Sequence, residues 1–411
     1  MADRPYPVIT VNEKAARAIR GGHPWVYGAE TSGPDRPCQN GEIVDVVSQK
    51  GRCLGAGFLN DHSKIRVRLL SRNTNDRFDE GFWRRRLRYA LDYRKTVMGP
   101  DYGCCRLIFG EADQFPGLTV DRFGDILVTE VLSLGMEVRK DLLYPLLVEL
   151  LREDGVAVRA IYERSDAPLR DKEGLPRLTG FYPLPGLATD LDGHLLLEEN
   201  GIRYDVDYIH GQKTGFFLDQ KYNRRAAAAL APGRRVLDCF THTGAFALNC
   251  AQAGAAQVTA VDISQEAVAL TRRNAALNGL EDRMEAVQAD VFDLLTQLAQ
   301  AGGHPYDYII LDPPAFTKSG ATVKTAFRGD KEITYKAMKL LPRGGYLATC
   351  SCSHFMTPEL FAKTIREAAG NVHKRLRQVE YRTQAADHPI LWGDSESSYL
   401  KLFIFQVCDE K

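Results

Sequence analysis

The second half of the chain alternates short apolar runs with segments of helical spacing, and several of the runs end in acids. VLDC (236–239) leads through a polar turn into small and apolar residues at helical spacing as far as Leu248. VTAVDIS (258–264) is a second run, closing on Asp262, and MEAVQAD (284–290) is a third, ending in Asp290. YDYIILDPPAF (306–316) closes on Asp312 and two prolines. Short apolar runs bounded by turn signals read as buried strands, and their alternation with helical patterns reads as parallel βα units. Downstream, ITYKAMKLLPRGGYLATCSCSHF (333–355) predicts helix, glycine turn, strand and a cysteine-bearing loop. A helix over 358–370, a strand over 375–381 and a last strand within 399–407 follow. Residues 200–411 are therefore expected to form a doubly wound α/β sheet of about seven strands with the last one reversed.

The first half patterns differently. GEIVDVVS (41–48), CLGAGFL (53–59) and KIRVRLL (64–70) are short strands separated by Gly, Asn and Asp turns, and NEKAARAIRGG (12–22) is a helix with Asn12 as its cap. KIRVRLL sets Lys64, Arg66 and Arg68 on one face and Ile65, Val67 and Leu69 on the other. That face either meets nucleic acid or is simply solvated. FWRRRLRYALDYRK (82–95) is a helix carrying Arg84, Arg85, Arg86, Arg88 and Arg94 with Trp83, Tyr89 and Tyr93 interleaved. Such a mixture suits phosphate and base contacts, and equally a solvated basic face. Further strands and a helix (139–152) occupy 106–190, and LLLEENGIRYDVDY (195–208) reads as a hairpin turning at Asn200-Gly201. The expected boundaries are 1–75 for a β-rich unit, 76–190 for a middle α+β domain, 191–210 for the hairpin linker and 211–411 for the α/β domain.

Composition narrows the classes. With 44% hydrophobic and 26% charged residues the chain is that of an ordinary globular protein. No apolar run approaches the roughly 20 residues of a membrane helix. The start, MADRPYPVIT, has no apolar signal core, and nine cysteines without a regular framework suit reduced thiols, so a cytoplasmic location is expected. Basic and acidic residues balance at 53 each, so a polyanionic partner would be met by local patches rather than by overall charge.

The acids at the ends of the apolar runs carry the chemistry, because ligands of open α/β sheets bind at the carboxyl edge. The loop from Cys239 to Gly244 has one glycine and follows Asp238, which suits a cationic or zwitterionic ligand better than a pyrophosphate. A nucleoside bearing a sulfonium and an amino acid fits; another nucleotide is the alternative. Asp262 follows Gly244 at close to the roughly 20-residue spacing of an acid that accepts ribose hydroxyls. Asp290, followed by Val291 and Phe292, either accepts adenine amino hydrogens or caps a helix. In DPPAF, Pro313 and Pro314 leave carbonyls free for a base edge, and Phe316 can stack on a flipped base. TCSCS offers Cys350 and Cys352. A thiolate adding to carbon 6 of a pyrimidine turns carbon 5 into a nucleophile, which methylation there requires. No further ligand spacing accompanies Cys-x-Cys, so no metal is expected.

GQKTGFFLDQ (211–220), DCFTHTGAFA (238–247), VDISQEA (261–267), LDPPAF (311–316), SCS with Met356 (351–356), QAADHP (384–389) and YLK (399–401) occur in this order. Together they resemble the RlmI-type 23S ribosomal RNA cytosine-C5 methyltransferases, a family of class I AdoMet-dependent enzymes with an amino-terminal PUA domain. The likeness implies S-adenosyl-L-methionine as cofactor and large-subunit ribosomal RNA as partner. It implies Cys352 for attack at carbon 6 and Asp312 for the ring N3 and amino edge. Asp262 and Ile263 would take the ribose side, Asp290 and Val291 the adenine, and Asp238, Thr243 and Gly244 the methionine end. Lys213, Phe217 and Asp219 would line the pocket, and His388 is a candidate base. Pro313, Pro314 and Phe316 would meet the target base, with Arg66, Arg68, Arg84 and Arg85 on the RNA backbone. The family has no cysteine where this chain has Cys350. Methylation of a purine nitrogen, or a non-catalytic RNA-binding assembly factor, are the other readings, and an exposed β-edge allows a homodimer.

Overall fold

Residues 4–316, 323–393 and 396–409 are described by the computed structural model, and their strands fall into four sheets. The first has six strands between Val8 and Ser71. Its alternating residues Val44, Val46, Leu59 and Val67 pack with Ile19 of the helix Glu13–Arg20. Asn12 starts that helix by accepting the Ala15 amide at 2.9 Å, as the cap chemistry predicts. A second sheet of five strands spans Cys104 to Phe181. It is antiparallel except where Ile126–Val131 and Ala160–Ser165 run parallel, a pairing that needs the crossover helix Lys140–Glu153. The hairpin His194–Glu199 and Ile202–Asp207 turns on Asn200 (φ 57°) and Gly201 (φ 76°).

The fourth sheet carries the chemistry. Its strands are β1 (Arg235–Cys239), β2 (Gln257–Asp262), β3 (Met284–Gln288), β4 (Tyr308–Leu311), β5 (Tyr346–Ser351), β6 (Leu376–Arg382) and β7 (Lys401–Val407). Their order is β3-β2-β1-β4-β5-β7-β6. The first five are parallel, and β7 lies antiparallel between β5 and β6. Leu237, Val261, Ile309, Leu311 and Leu347 are fully buried, with the helix Val323–Leu340 contributing Ile333, Ala337 and Met338. Burial on both faces explains why these strands read as continuous apolar runs. Chain direction along the sheet reverses at β1 and β4, so the ligand crevice opens at their carboxyl ends.

By contact density the chain forms two compact units. One comprises residues up to 195 with 206–218 and 386–397; the other comprises 196–205, 219–385 and the chain from 398 on. The stretches 211–218 and 386–397, expected within the α/β domain, thus group with the amino-terminal unit. Among the described residues no helix is long and apolar enough to cross a membrane.

Candidate active site

The loop after β1 is shaped by one carboxylate. Asp238 is buried, and its Oδ2 accepts the Thr241 hydroxyl at 2.6 Å and the Ala247 amide at 3.0 Å, tying the loop to the helix Ala245–Gln252. Phe240, His242 and Gly244 all have positive φ (63°, 53° and 81°), so the backbone is held in a tight left-handed path. Only glycine fits the last of these positions, since a Cβ there would stand 2.8 Å from Thr271 Cγ2. Burial pushes the Asp238 carboxyl up to about 7 against its two donors, and Oδ1 has no hydrogen-bond partner among the described residues.

Asp262 ends β2 with both oxygens engaged by backbone: Oδ2 accepts the His242 amide at 2.9 Å and Oδ1 the Ser264 amide at 3.0 Å. Ile263 beside it is 65% exposed, an unusual setting for its side chain. Thr243 is buried, and its carbonyl accepts the Asn274 amide. Asp290 is exposed and caps the helix Val291–Ala301, with Oδ1 accepting the Phe292 and Asp293 amides at 2.8 and 3.2 Å. The capping role weighed for this residue is therefore present. Val291 is buried beneath it.

A second cluster lies past β4 and β5. The Gln220 amide donates to both oxygens of Asp312, at 3.1 and 3.2 Å, and is oriented by Asn223, which donates to Gln220 Oε1 at 2.7 Å. Burial, then the negative charge of Asp219, push the Asp312 carboxyl up to about 6, while Arg224 and Gln220 work the other way. Arg224 is buried and donates to Glu199 at 2.6 Å. Asp219 accepts the Tyr399 hydroxyl at 2.6 Å through Oδ2, and its buried Oδ1 has no partner among the described residues. Pro313 is buried and Pro314 exposed. Phe316 is half-buried, its ring 6.0 Å from that of Phe292 and packed on the cluster of Ala326, Met356 and Phe361.

The two cysteines separate at the end of β5. Cys350 is fully buried within the strand, opposite Leu402, and within electrostatic reach of the Asp312 carboxylate. Cys352 lies just past the strand and is half-buried. Burial, then Asp312 and Asp219, push its thiol up to about 12, with Lys401 opposing them. Lys401 begins β7, is buried, and donates to the carbonyls of Ser353 at 2.6 Å and Tyr399 at 2.7 Å.

Other expected residues fall elsewhere. Lys213 and Phe217 group with the amino-terminal unit, where Lys213 is exposed and feels Glu130. His388 belongs to that unit too. It is buried, bonded to Asp387 at 2.8 Å and packed on Phe109. The basic face read from KIRVRLL is not a free one. Arg68 is buried between Glu111 (3.0 Å) and Glu173 (2.9 Å), and Arg66 is bonded to Asp61 and Thr31. Arg84 pairs with Glu149 and Glu153, and Arg85 reaches Asp76 at 3.3 Å. Acids of distant sequence pair with Arg68 and Arg84, and nearby Asp61 and Asp76 with Arg66 and Arg85, which the pattern of the basic segments alone does not display. Gln220, Arg224 and Lys401 escaped notice as site residues. Only the first and last had a signal, as members of the GFFLDQ and YLK motifs.

A sheet in this order, with an acidic one-glycine loop after β1 and acids ending β2 and β4, lies in a chain that the comparisons place among the S-adenosylmethionine-dependent methyltransferases. The family profile of that description matches residues 189–389, and one for a PUA-like domain matches 9–72. The chain belongs to the ribosomal RNA large subunit methyltransferase I family. It is 40% identical over 394 residues to the member from Shewanella amazonensis, covering 94% of this chain and 95% of the relative. It is 37% identical over 410 residues to that from Klebsiella pneumoniae, covering 99% and 100%. A candidate methyltransferase from Streptococcus mutans has the same fold, with TM-score 0.82 at 22% identity over 97% of this chain and 100% of that one.

The residues present fit S-adenosylmethionine. Two buried carboxylate oxygens, Oδ1 of Asp219 and Oδ1 of Asp238, are open to a cationic donor, and Gly244 keeps the loop clear of a side chain. Bound there, the cofactor supplies an electrophilic methyl group on a cationic sulfonium.

Proposed function

We propose that this protein methylates carbon 5 of a cytosine in large-subunit ribosomal RNA through a covalent adduct on Cys352. The observation that carries this is the cluster at the end of β5, where Cys352 sits within the electrostatic reach of Asp312 and Asp219, beside the methyl-donor crevice. Asp238 would hold the methionine end, with Thr243 and Gly244 shaping the loop. Asp262 and Ile263 would take the ribose, Asp290 and Val291 the adenine, and Asp219 the pocket wall. The relatives' name, ribosomal RNA large subunit methyltransferase I, supports the RNA substrate.

The Cys352 sulfur bonds to carbon 6 as the ring's electrons shift towards N3, where Asp312, held near neutrality by burial, donates its proton. Carbon 5 then takes the methyl group, the sulfonium becoming a neutral thioether; it loses its proton to a base or water and expels the sulfur as the double bond re-forms, and N3 returns its proton to Asp312. Pro313 and Pro314 would hold the base edge. For the RNA strand, Lys324, Arg328 and Lys363 line a cleft of about 440 Å³ with Phe327 and Leu360; Lys331 there is paired to Glu367. Phe316 shares an apolar cluster with Phe327 and Leu360, which links the cleft to the DPPAF loop.

The Cys352→Ala protein should retain S-adenosylmethionine affinity by calorimetry and transfer no methyl group to ribosomal RNA. Full transfer by that variant refutes the adduct, and nucleoside mass spectrometry finding a methylated purine refutes the target.

A further inference from the structure

Most buried lysines are rare and need a reason, since an ammonium loses hydration that two carbonyls only partly replace. Lys401 is 2% exposed. Its backbone pairs with Ser351 across the β5–β7 ladder, so it stands opposite the residue that precedes Cys352. Its Nζ then reaches the carbonyl of Ser353, the residue that follows Cys352, and that of Tyr399. The ammonium is thereby clamped where the chain turns through Cys352. An ammonium has three donors, and two are engaged among the described residues.

The charges around the thiol make this placement consequential. Asp312 and Asp219 face Cys352 and oppose its ionisation; Lys401 is the cation that favours it. Lys401 in turn is faced by Cys352 and by Asp330, a buried carboxyl on the helix Val323–Leu340. Burial lowers the lysine to about 8, with Cys352 and Asp330 resisting, so it can exchange a proton close to neutral pH.

We infer that Lys401 is the positioning residue that makes Cys352 a nucleophile, by holding the turn around it and balancing the charge of its thiolate. This rests on the reading of Cys352 as the attacking residue. Ionisation moves the thiol proton to neutral Nζ or to solvent, leaving thiolate facing ammonium. When the carbon 6 to sulfur bond breaks at the end of the cycle, the sulfur departs as the thiolate that the ammonium again balances.

The test follows alkylation of Cys352 by iodoacetamide against pH in the full-length protein, read on the Cys352 peptide by mass spectrometry. Lys401→Gln keeps a donor for the two carbonyls and removes the charge. The expected result is at least a tenfold slower Cys352 alkylation at pH 8, a profile displaced to higher pH, and a matching fall in kcat with cofactor affinity unchanged. Lys401→Arg should restore the profile at least in part. A Lys401→Gln profile that superimposes on the native one overturns the inference. Should that variant not fold, Lys401→Arg carries the test alone. Its charge does not titrate, so Cys352 should alkylate faster than in the native protein above pH 9, and equal rates overturn the inference. If Cys352→Ala still methylates RNA, the proposed function fails while the alkylation profiles still report on the Lys401–Cys352 pair.

Discussion

Asp238 and Asp312 are carboxyls that burial has made weak acids, raised to about 7 and about 6. In the unliganded protein the folded state keeps protons that the unfolded chain, with carboxyls near pKa 4, has released. Stability from these two groups is therefore greatest at low pH and lost as pH climbs from about 4 through 7. A cationic cofactor held at Asp238 prefers its ionised form, so binding should release a proton. Affinity for S-adenosylmethionine is expected to rise between pH 5.5 and 8, by up to about tenfold per pH unit for each proton coupled. Calorimetry in buffers of different ionisation enthalpy checks this, and Asp238→Asn should flatten the dependence. Gly244→Ala places a Cβ against Thr271 at φ 81°, a change expected to cost about 1–3 kcal/mol. A lowered melting temperature and weakened cofactor binding would register it. The acids were legible one by one, because each closes an apolar run. Their donors were not, since Tyr399 reaches Asp219 across 180 positions of sequence.

At the scale of elements, caps and strands did what their sequences announced, and partners decided the rest. Asp290 both caps the helix Val291–Ala301 and stands where an adenine acceptor is proposed. Asp290→Asn preserves a cap, whereas Asp290→Ala removes it at about 1 kcal/mol. If the adenine role holds, cofactor affinity falls in both variants while thermal stability falls clearly only in the alanine one. The strand Ile65–Ser71 was correctly legible as a strand with alternating faces. Its arginines were misleading, because Arg68 faces Glu111 and Glu173 inside the unit and not solvent. Arg68→Ala leaves those acids without their cation and is expected to destabilise the amino-terminal unit by about 3–5 kcal/mol. Limited proteolysis and thermal melting of the full chain would show that loss.

Across the whole molecule, equal numbers of acidic and basic residues leave no general attraction for a polyanion, so RNA affinity must come from local cations. Reversing Lys324, Arg328 and Lys363 to Glu should weaken RNA binding and lower its log–log salt slope by about 2 units, at roughly 0.7 per phosphate contact. Reversing Arg84 and Arg85 should leave that slope unchanged, because Glu149, Glu153 and Asp76 already pair them. Filter binding over a salt series distinguishes the two sets. The α/β architecture, the helix caps and the crevice acids were determined by the sequence itself, since each depends on local periodicity or on a residue type at the end of its own element. Which charges face outward was decided only by the tertiary structure. So were which cysteine is half-buried rather than sealed in the strand, and the placing of Lys401 beside Cys352. Those depend on desolvation and on partners drawn from remote segments, and neither leaves a periodic trace along the chain.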